Sequence, residues 1–356
     1  MRVLFVGETW QGSFARSLRE ALVPLPGIEV DDVGEDHYSP RARSRRVRAT
    51  RRLLGPWYRR ELHRAIVSAL DARRPDVLMV YKGAQVAAAT VEVARRARVF
   101  TVNVFPDYSP HAYGARLKAA MGEYQLVVST KPFHPAIWAS TYGYRNHCVF
   151  VPHGYDPNVH AWPEPPDVQD FDLLLAATWR PEYHALMQEL ASALAGHSLK
   201  VGVIGSGWIE RRHQLPPEWE VAPSLHGRSY GEWLRRGRIV VAPVNREVVI
   251  QGVRQPGDED TTRTYELAAM GCFFLHRRTA YAQSVYDEHT EVPMWDTPQE
   301  LAGLVLRYLP LEAERRQMAA RAQARAVPAY SLTHRAAEVI DQVRRAMSGP
   351  ADRRTL

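Results

Sequence analysis

The sequence predicts an α/β protein built from two Rossmann-like parallel-sheet domains facing across a cleft. Three observations carry this. Short β-branched runs alternate with amphipathic helical stretches, the pattern of a parallel sheet covered on both faces. The alternation breaks once, at residues 156–171, "DPNVHAWPEPPDVQDF", where four prolines and several acids mark a linker. It then restarts in the same order. We expect a first domain over 1–157, a linker over 158–169, a second domain over 170–330, and a C-terminal helix and tail over 331–356 that packs back on the first domain. A chain of 356 residues is long for one domain and comfortable for two.

The elements follow in order. "VLFVG" reads as a buried strand, and "SFARSLREAL" after it has helical spacing. "GIEVDDVG" is a strand, "WYRRELHRAIVSALDARR" a helix and "PDVLMVYKG" a strand. "TVEVARRA" is helical, and "VFTVNVF", "YQLVVST" and "HCVFVPHG" are strands. After the linker, "DLLLAAT" is a strand, "PEYHALMQELASALA" a helix, "KVGVIGSG" a strand, "SYGEWLRRG" a short helix and "RIVVAPV" a strand. "RTYELAAMG" is a helix, "CFFLHR" a strand, and "LTHRAAEVIDQVRRAM" the final helix. Sequential crossovers of this kind are right-handed.

Composition excludes several classes. Hydrophobic content of 46% and charged content of 24% are those of a globular protein, not a disordered one. No apolar run approaches the roughly 18 residues that span a bilayer. The start reads as a first strand and not as a cleaved signal. Cys148 and Cys272 lie in apolar contexts and read as buried free thiols, so a cytoplasmic location is expected. The net charge is +7. Much of it comes from Arg41 to Arg64, where Arg41, Arg43, Arg45, Arg46, Arg48, Arg51 and Arg52 run almost without acids. Such a segment is either a solvated face or attracts an anionic membrane surface, an acidic acceptor or, less readily, nucleic acid. A peripheral position at the inner membrane face follows from the second reading. Few aromatics interleave with the arginines, which weakens base stacking.

Ligands of open parallel sheets bind beyond the carboxyl ends of the strands, so the loops there are searched for chemistry. "VGETWQGSF" carries Gly7 and Gly12 without the dinucleotide-binding spacing, and Glu8 would repel a pyrophosphate. The turn at Gly12 either lets a substrate approach the backbone or is a simple tight turn. "FPDYSPH" holds Asp107 and His111, and "VPHGYD" holds His153 and Asp156. Asp107 and His153 are candidate general bases toward an acceptor hydroxyl. Lys82 in "YKG" is a weaker candidate. "TWRPEYH" sets Arg180 at a strand mouth, with Pro181 opening a helix, where an Arg can grip a phosphate. "VIGSGW" places Gly205, Gly207 and Trp208 after a strand, and Trp208 either stacks on a base or sugar or is a turn aromatic. No spacing of His, Cys, Asp or Glu reads as a metal site, so no metal and no cofactor are expected.

The most informative stretch is "DEDTTRTYELAAMGCFFL", residues 258–275. Acids and hydroxyls before a helix would suffice for capping. Arg263 among them does not fit that role. A helix entrance offers N–H groups and partial positive charge to a diphosphate. Thr261 and Thr262 add hydroxyls and Arg263 a cation. Glu266, one turn inside, can accept both hydrogen bonds of a ribose diol, and Asp258 can hold sugar hydroxyls.

These residues carry a family resemblance. Asp258-x7-Glu266 resembles the E-x7-E motif of glycosyltransferases with the GT-B fold, and "RTYELAAMGCFFL" resembles the matching segment of their CgeB-like branch, named for a spore-maturation protein. "LFVGETWQGSFARSLREAL", "VPHGYDP", "VIGSGW", "EHTEVPMWDTPQELAGLV" and "YSLTHRAAEVI" fit the same order along nearly the whole chain. The resemblance implies a nucleotide-sugar donor, such as a UDP-sugar, held mainly by the second domain. Glu266 takes the ribose-binding place, and Arg180, Thr262 and Arg263 take phosphate contacts. Asp258 stands one methylene shorter than the usual Glu, and no lysine follows Arg180 as in related families. Metal-independent transfer to a glycan, lipid-linked or small-molecule hydroxyl is the expected activity. The alternatives are a nucleic-acid-modifying transferase, a nucleotide-sugar epimerase and a non-catalytic nucleotide-sugar-binding protein of the same fold.

Overall fold

In the computed structural model, residues 1–38, 45–245, 247–250 and 252–349 are described, with side chains left aside at 45–52 and at Pro256. Two compact units divide the chain. The first comprises residues 1–152 with 332–356, and the second residues 153–331. Residues 153–169, most of them expected to be a bare linker, therefore belong to the second unit. Trp162 explains part of this. Its indole N–H donates to the Val159 carbonyl at 3.1 Å, and its ring lies under the Arg228 and Arg235 guanidinium groups at 3.7 and 4.5 Å.

In the first unit, strands β1 (Arg2–Gly7), β2 (Glu29–Gly34), β3 (Val77–Tyr81), β4 (Phe100–Phe105), β5 (Leu126–Ser129) and β6 (His147–Phe150) form one sheet. The order is β2-β1-β3-β4-β5-β6 and every pairing is parallel. Helices α1 (Phe14–Leu22), α2 (Glu35–Tyr38), α3 (Arg45–Arg73), α4 (Ala88–Arg96), α5 (Gly114–Met121) and α6 (His134–Ile137) connect the strands. The sequence reading starts the third of these after Gly55–Pro56, whereas the structure runs α3 through both residues. Arg41 and Arg43 of the basic segment lie outside the described residues.

In the second unit, α7 (Pro157–His160) precedes β7 (Phe171–Ala176), α8 (Pro181–Ala193), β8 (Val201–Ile204), β9 (Glu220–Ala222), α9 (Arg228–Arg235) and β10 (Gly237–Ala242). A hairpin of β11 (Glu247–Ile250) and β12 (Val253–Pro256) leads into α10 (Thr262–Ala269). Then come β13 (Phe274–Arg277), α11 (Ala280–Val285), β14 (Met294–Trp295), α12 (Pro298–Tyr308) and α13 (Glu312–Ala326). The sheet order is β14-β13-β10-β7-β8-β9, again parallel throughout. The last helix, α14 (Leu332–Ser348), returns to the first unit and packs on α1.

Buried strand residues on both faces explain why the apolar runs are continuous and not alternating. Val77, Leu78, Met79 and Val80 of β3 are all fully buried, as are Leu173, Leu174 and Leu175 of β7. In the second sheet the strand order reverses between β7 and β10. The loops leaving these two strands flank the crevice where ligands of such sheets bind. Those loops carry Arg180 and the segment that leads to α10.

Candidate functional site

The α10 entrance divides its polar groups between folding and another task. Glu259 and Asp260 serve the fold. Glu259 Oε2 accepts from the Tyr281 backbone N–H at 3.0 Å, and Asp260 Oδ2 accepts from the Tyr265 hydroxyl at 2.8 Å. The Thr261 N–H donates to Thr264 Oγ1 at 3.0 Å, which satisfies the entrance from inside the helix. Thr264 is in turn fixed by His276 Nε2 at 2.8 Å. Capping therefore explains Glu259, Asp260 and Thr264. It does not explain one group beside them. Arg263 Nε is buried and makes no hydrogen bond, whereas Thr261 Oγ1 closes a capping box with the Thr264 N–H. A buried polar atom left unpaired costs about 1–3 kcal/mol, so its place at the helix entrance points to a ligand.

Arg263 and Glu266 are three residues apart and lie on one face of α10. Glu266 is only 3% exposed. The Tyr230 hydroxyl of α9 donates to Glu266 Oε2 at 3.4 Å, and His160 Nε2 of α7 lies 3.8 Å from Oε1. The His160 tautomer follows from its other nitrogen. Nδ1 accepts the Asp156 backbone N–H at 3.1 Å, so Nε2 carries the proton and presents it to Glu266. Burial, and then the charge of Glu266, raises the Tyr230 phenol well above its ordinary value, so it stays a donor. Burial disfavours the Arg263 charge, but Tyr230, Tyr183 and Glu266 around it more than restore it.

Arg180 and Asp258 join this neighbourhood through Tyr183. Burial raises the Tyr183 phenol, and the charges of Arg263, Asp258 and Arg180 all act on it. Arg180 holds the N-terminal flank of α8 in extended backbone (φ −141°), one residue before Pro181. The Asp258 N–H donates to the Asn245 carbonyl at 2.6 Å, which ties the loop after β10 to the α10 approach. More unpaired buried groups are Trp179 Nε1 and Asn245 Nδ2 in the strand-end loops and His184 Nδ1 on the first turn of α8. Arg211 stacks over the Trp179 ring at 3.5 Å. Thr262, half-buried, is the first residue of α10.

Sequence reasoning named Asp258, Thr261, Thr262, Arg263, Glu266 and Arg180, and these are close in the fold. It missed Tyr183, Tyr230, His160, Trp179, His184 and Asn245. Trp179, Tyr183 and His184 sit within the quoted "TWRPEYH", where their spacing from Arg180 was the available signal. Nothing local marks Tyr230 or His160.

Trp208 is corrected. It is fully buried, and its indole N–H donates to the Ala177 carbonyl at 2.7 Å, so it clamps the β7 loop and offers no stacking face. Gly205 serves the same clamp. At φ +146° its position would put a Cβ 2.0 Å from the Ala177 oxygen, so only glycine fits between the two loops. Gly207 (φ +88°) passes close to Trp179.

The remaining candidates lie elsewhere. Gly12 belongs to the first unit, and the other donor-binding candidates belong to the second. Asp107 follows β4 and pairs with Lys82 Nζ at 2.8 Å. Lys82 adopts a left-handed φ of 59° unusual for a side-chain-bearing residue, and its ammonium also sits 4.0 Å over the Tyr113 ring. Lys82 is thus more tightly placed than its sequence context suggested. Burial, and then Lys118, lowers the His111 pKa. His153 is buried at the start of the second unit. Among the described residues, no group of three His, Cys, Asp or Glu is placed to hold a metal, and no helix is long and apolar enough to cross a membrane.

Comparison with known proteins adds the following. Residues 180–341 match the family model described as glycosyl transferase-like. No curated protein matches the chain by sequence. Among solved structures, Anabaena HepE in complex with UDP is 13% identical, with 97% of this chain and 100% of that chain covered at a TM-score of 0.65. Sucrose-phosphate synthase from Thermosynechococcus elongatus is 12% identical, with 98% and 100% covered at 0.65. A glycosyltransferase from Rickettsia africae is 11% identical, with 98% and 99% covered at 0.62. At these identities the likeness shows the fold: two Rossmann-like domains of the GT-B glycosyltransferase kind.

Proposed function

We propose that this protein is a glycosyltransferase of the CgeB-like branch, which moves a sugar from a nucleotide-sugar donor to an acceptor hydroxyl without a metal ion. The observation that carries the reading is the α10 entrance. There a buried carboxylate, Glu266, lies one turn along the helix from Arg263, whose Nε is buried without a hydrogen bond, and the entrance also carries the Thr261 and Thr262 hydroxyls. The ribose diol donates to Glu266, held by Tyr230 and His160. The diphosphate takes the N–H groups at the start of α10, Thr261, Thr262, Arg263 and Arg180. Asp258 takes sugar hydroxyls. The match of residues 180–341 to a glycosyl transferase-like family supports this, since it spans Arg180, Asp258 and Glu266. The UDP and UDP-glucose complexes of the Anabaena neighbour favour a UDP-sugar as donor.

The chemistry follows from charge. As the anomeric bond breaks, negative charge grows on the departing nucleoside diphosphate, and fixed donors aimed at it stabilise that state most. Arginines and a helix dipole do this without a metal ion, so a chelator should leave transfer intact. An acceptor oxygen attacking with inversion needs a base. Asp107 and His153 are the candidates, and Asp107 pairs with Lys82. The basic segment, of which Arg41 and Arg43 lie outside the described residues, is the proposed contact for an anionic membrane or acceptor at the cytoplasmic face.

The test is incubation of the protein with radiolabelled UDP-, GDP-, dTDP- and ADP-sugars, with and without chelator. Release of nucleoside diphosphate, by hydrolysis or transfer, insensitive to chelator, is the expected result. A free epimerised sugar would assign the epimerase reaction instead. No turnover of any donor would leave a binding protein, and activity restored only by a divalent ion would overturn metal independence.

A further inference from the structure

The second unit has another cavity, at the edge of its sheet where the strands begin. It is about 270 Å³ and is walled by Pro163, Pro165, Pro166, Phe273, Ala319 and Ala320. Three arginines also line it, Arg238, Arg315 and Arg316, and among the described residues no acid does. Two of them are spent. Arg238 pairs with Asp172 at 2.8 Å and Arg316 with Glu312 at 2.7 Å.

Arg315 differs. It is only 4% exposed, and among the described residues it has no carboxylate partner. Both of its hydrogen bonds leave from Nη1, to the Tyr308 carbonyl at 2.6 Å and to the Leu309 carbonyl. They cap the end of α12. Its Nε is buried with no partner. Burial, with Arg238 and Arg316, pulls its pKa down, and the charges of Glu312 and Asp172 only partly offset this, so a further negative charge would relieve it. The Nε–Nη2 edge of a guanidinium is the pair of N–H groups that grips an oxyanion side-on. A buried guanidinium with its Nε–H unsatisfied is costly unless something answers that group.

We propose that this cavity binds a small organic anion, a carboxylate or phosphate ester on a compact apolar body, with the oxyanion on Arg315 and the body against Pro163, Pro165, Pro166 and Phe273. The volume admits a body the size of one aromatic ring. Gly271 also lines the cavity, two positions after the last residue of α10, so an occupant sits just past the far end of the helix whose entrance carries Arg263 and Glu266. The inference does not rest on the glycosyltransferase reading.

The experiment is calorimetric titration of the full chain with benzoate and phenyl phosphate, against benzyl alcohol and inorganic phosphate. At least one organic anion should bind about tenfold or more tightly than both controls, because charge and apolar body must act together. Arg315→Lys, which keeps the charge and loses the side-on edge, should weaken binding about tenfold. Because Arg315 also caps α12, that variant is paired with Ala320→Trp, a change at an exposed rim position that fills the cavity and leaves the fold alone. Ala320→Trp should abolish binding, whereas Arg180→Gln, at the opposite edge of the sheet, should not change it. No binding to the unsubstituted protein, full binding in Ala320→Trp, or loss in Arg180→Gln would each overturn the proposal.

Discussion

At the scale of single residues, the proposed site at the α10 entrance separates residues that hold the fold from those assigned to the donor. Arg263→Lys tests the separation. Lysine keeps the charge and gives up the planar fork, so nucleoside diphosphate affinity should fall by about tenfold while nucleoside affinity hardly moves. Equal losses for both, read by calorimetry, would place Arg263 away from the phosphates. The residues legible in the sequence were those whose type contradicted their local role. Arg263 among capping acids is the example, and Glu266 followed from its distance to it. Tyr230 and His160 were illegible because each reaches Glu266 from another helix. His160 also lies in a proline-rich stretch that reads as a linker. Trp208 misled because "GSGW" looks like an exposed turn, and only the Ala177 carbonyl, more than thirty positions earlier, shows what its indole is for.

At the scale of elements, the β7 and β8 loops are locked together by Gly205, Ala177 and Trp208. Gly205→Ala should cost about 3 kcal/mol or more, since it combines a left-sided φ with a backbone collision. Chemical denaturation would read this, and a loss under 1 kcal/mol would mean that the loops are not in this contact. Two buried histidines set a second expectation. Burial lowers both His134 and His276 to about 4, from about 6.5 in an unfolded chain. His134 is held by Ser129 Oγ at 2.5 Å and the Tyr108 carbonyl at 3.0 Å, and His276 by Thr264 and the Arg277 carbonyl. Both are neutral in the native state, so the unfolded chain takes up protons first. Their contribution is complete above pH about 6.5 and is lost as pH falls toward 4, roughly 3 kcal/mol for each. His134→Gln should flatten the pH dependence of the first unit's unfolding over that window; an unchanged slope would contradict the buried neutral state. The strands were readable because burial on both faces leaves continuous apolar runs. The β11–β12 hairpin and the two-residue β14 were not, being short and without a period of their own.

At the scale of the whole molecule, the chain leaves the first unit, builds the second, and comes back in α14. Leu332, Ala336, Val339, Ile340 and Val343 of that helix are buried in the first unit's core. Each large aliphatic side chain there contributes about 1.5–3 kcal/mol, which together rivals the whole stability of a domain, about 5–15 kcal/mol. A chain ending at Ser331 should therefore lose the unfolding transition of the first unit and keep that of the second. Two transitions in the shortened chain would show that α14 is dispensable. The expectation that the C-terminal helix packs on the first domain came from its place after the second, but which of its faces is buried came only from the fold. The central claim is that the α10 entrance holds a nucleoside diphosphate by its ribose and phosphates. Calorimetry of Glu266→Gln with UDP, GDP, dTDP and ADP tests it most directly. Gln keeps the shape and the Tyr230 contact but not the charge that a ribose diol would meet, and a hydrogen bond to a charged group contributes roughly 1.5–3 kcal/mol. The account predicts that the nucleotide bound by the unsubstituted protein binds the variant about ten- to a hundredfold more weakly, with the ligand-free melting curve still cooperative; undiminished affinity in Glu266→Gln would contradict it.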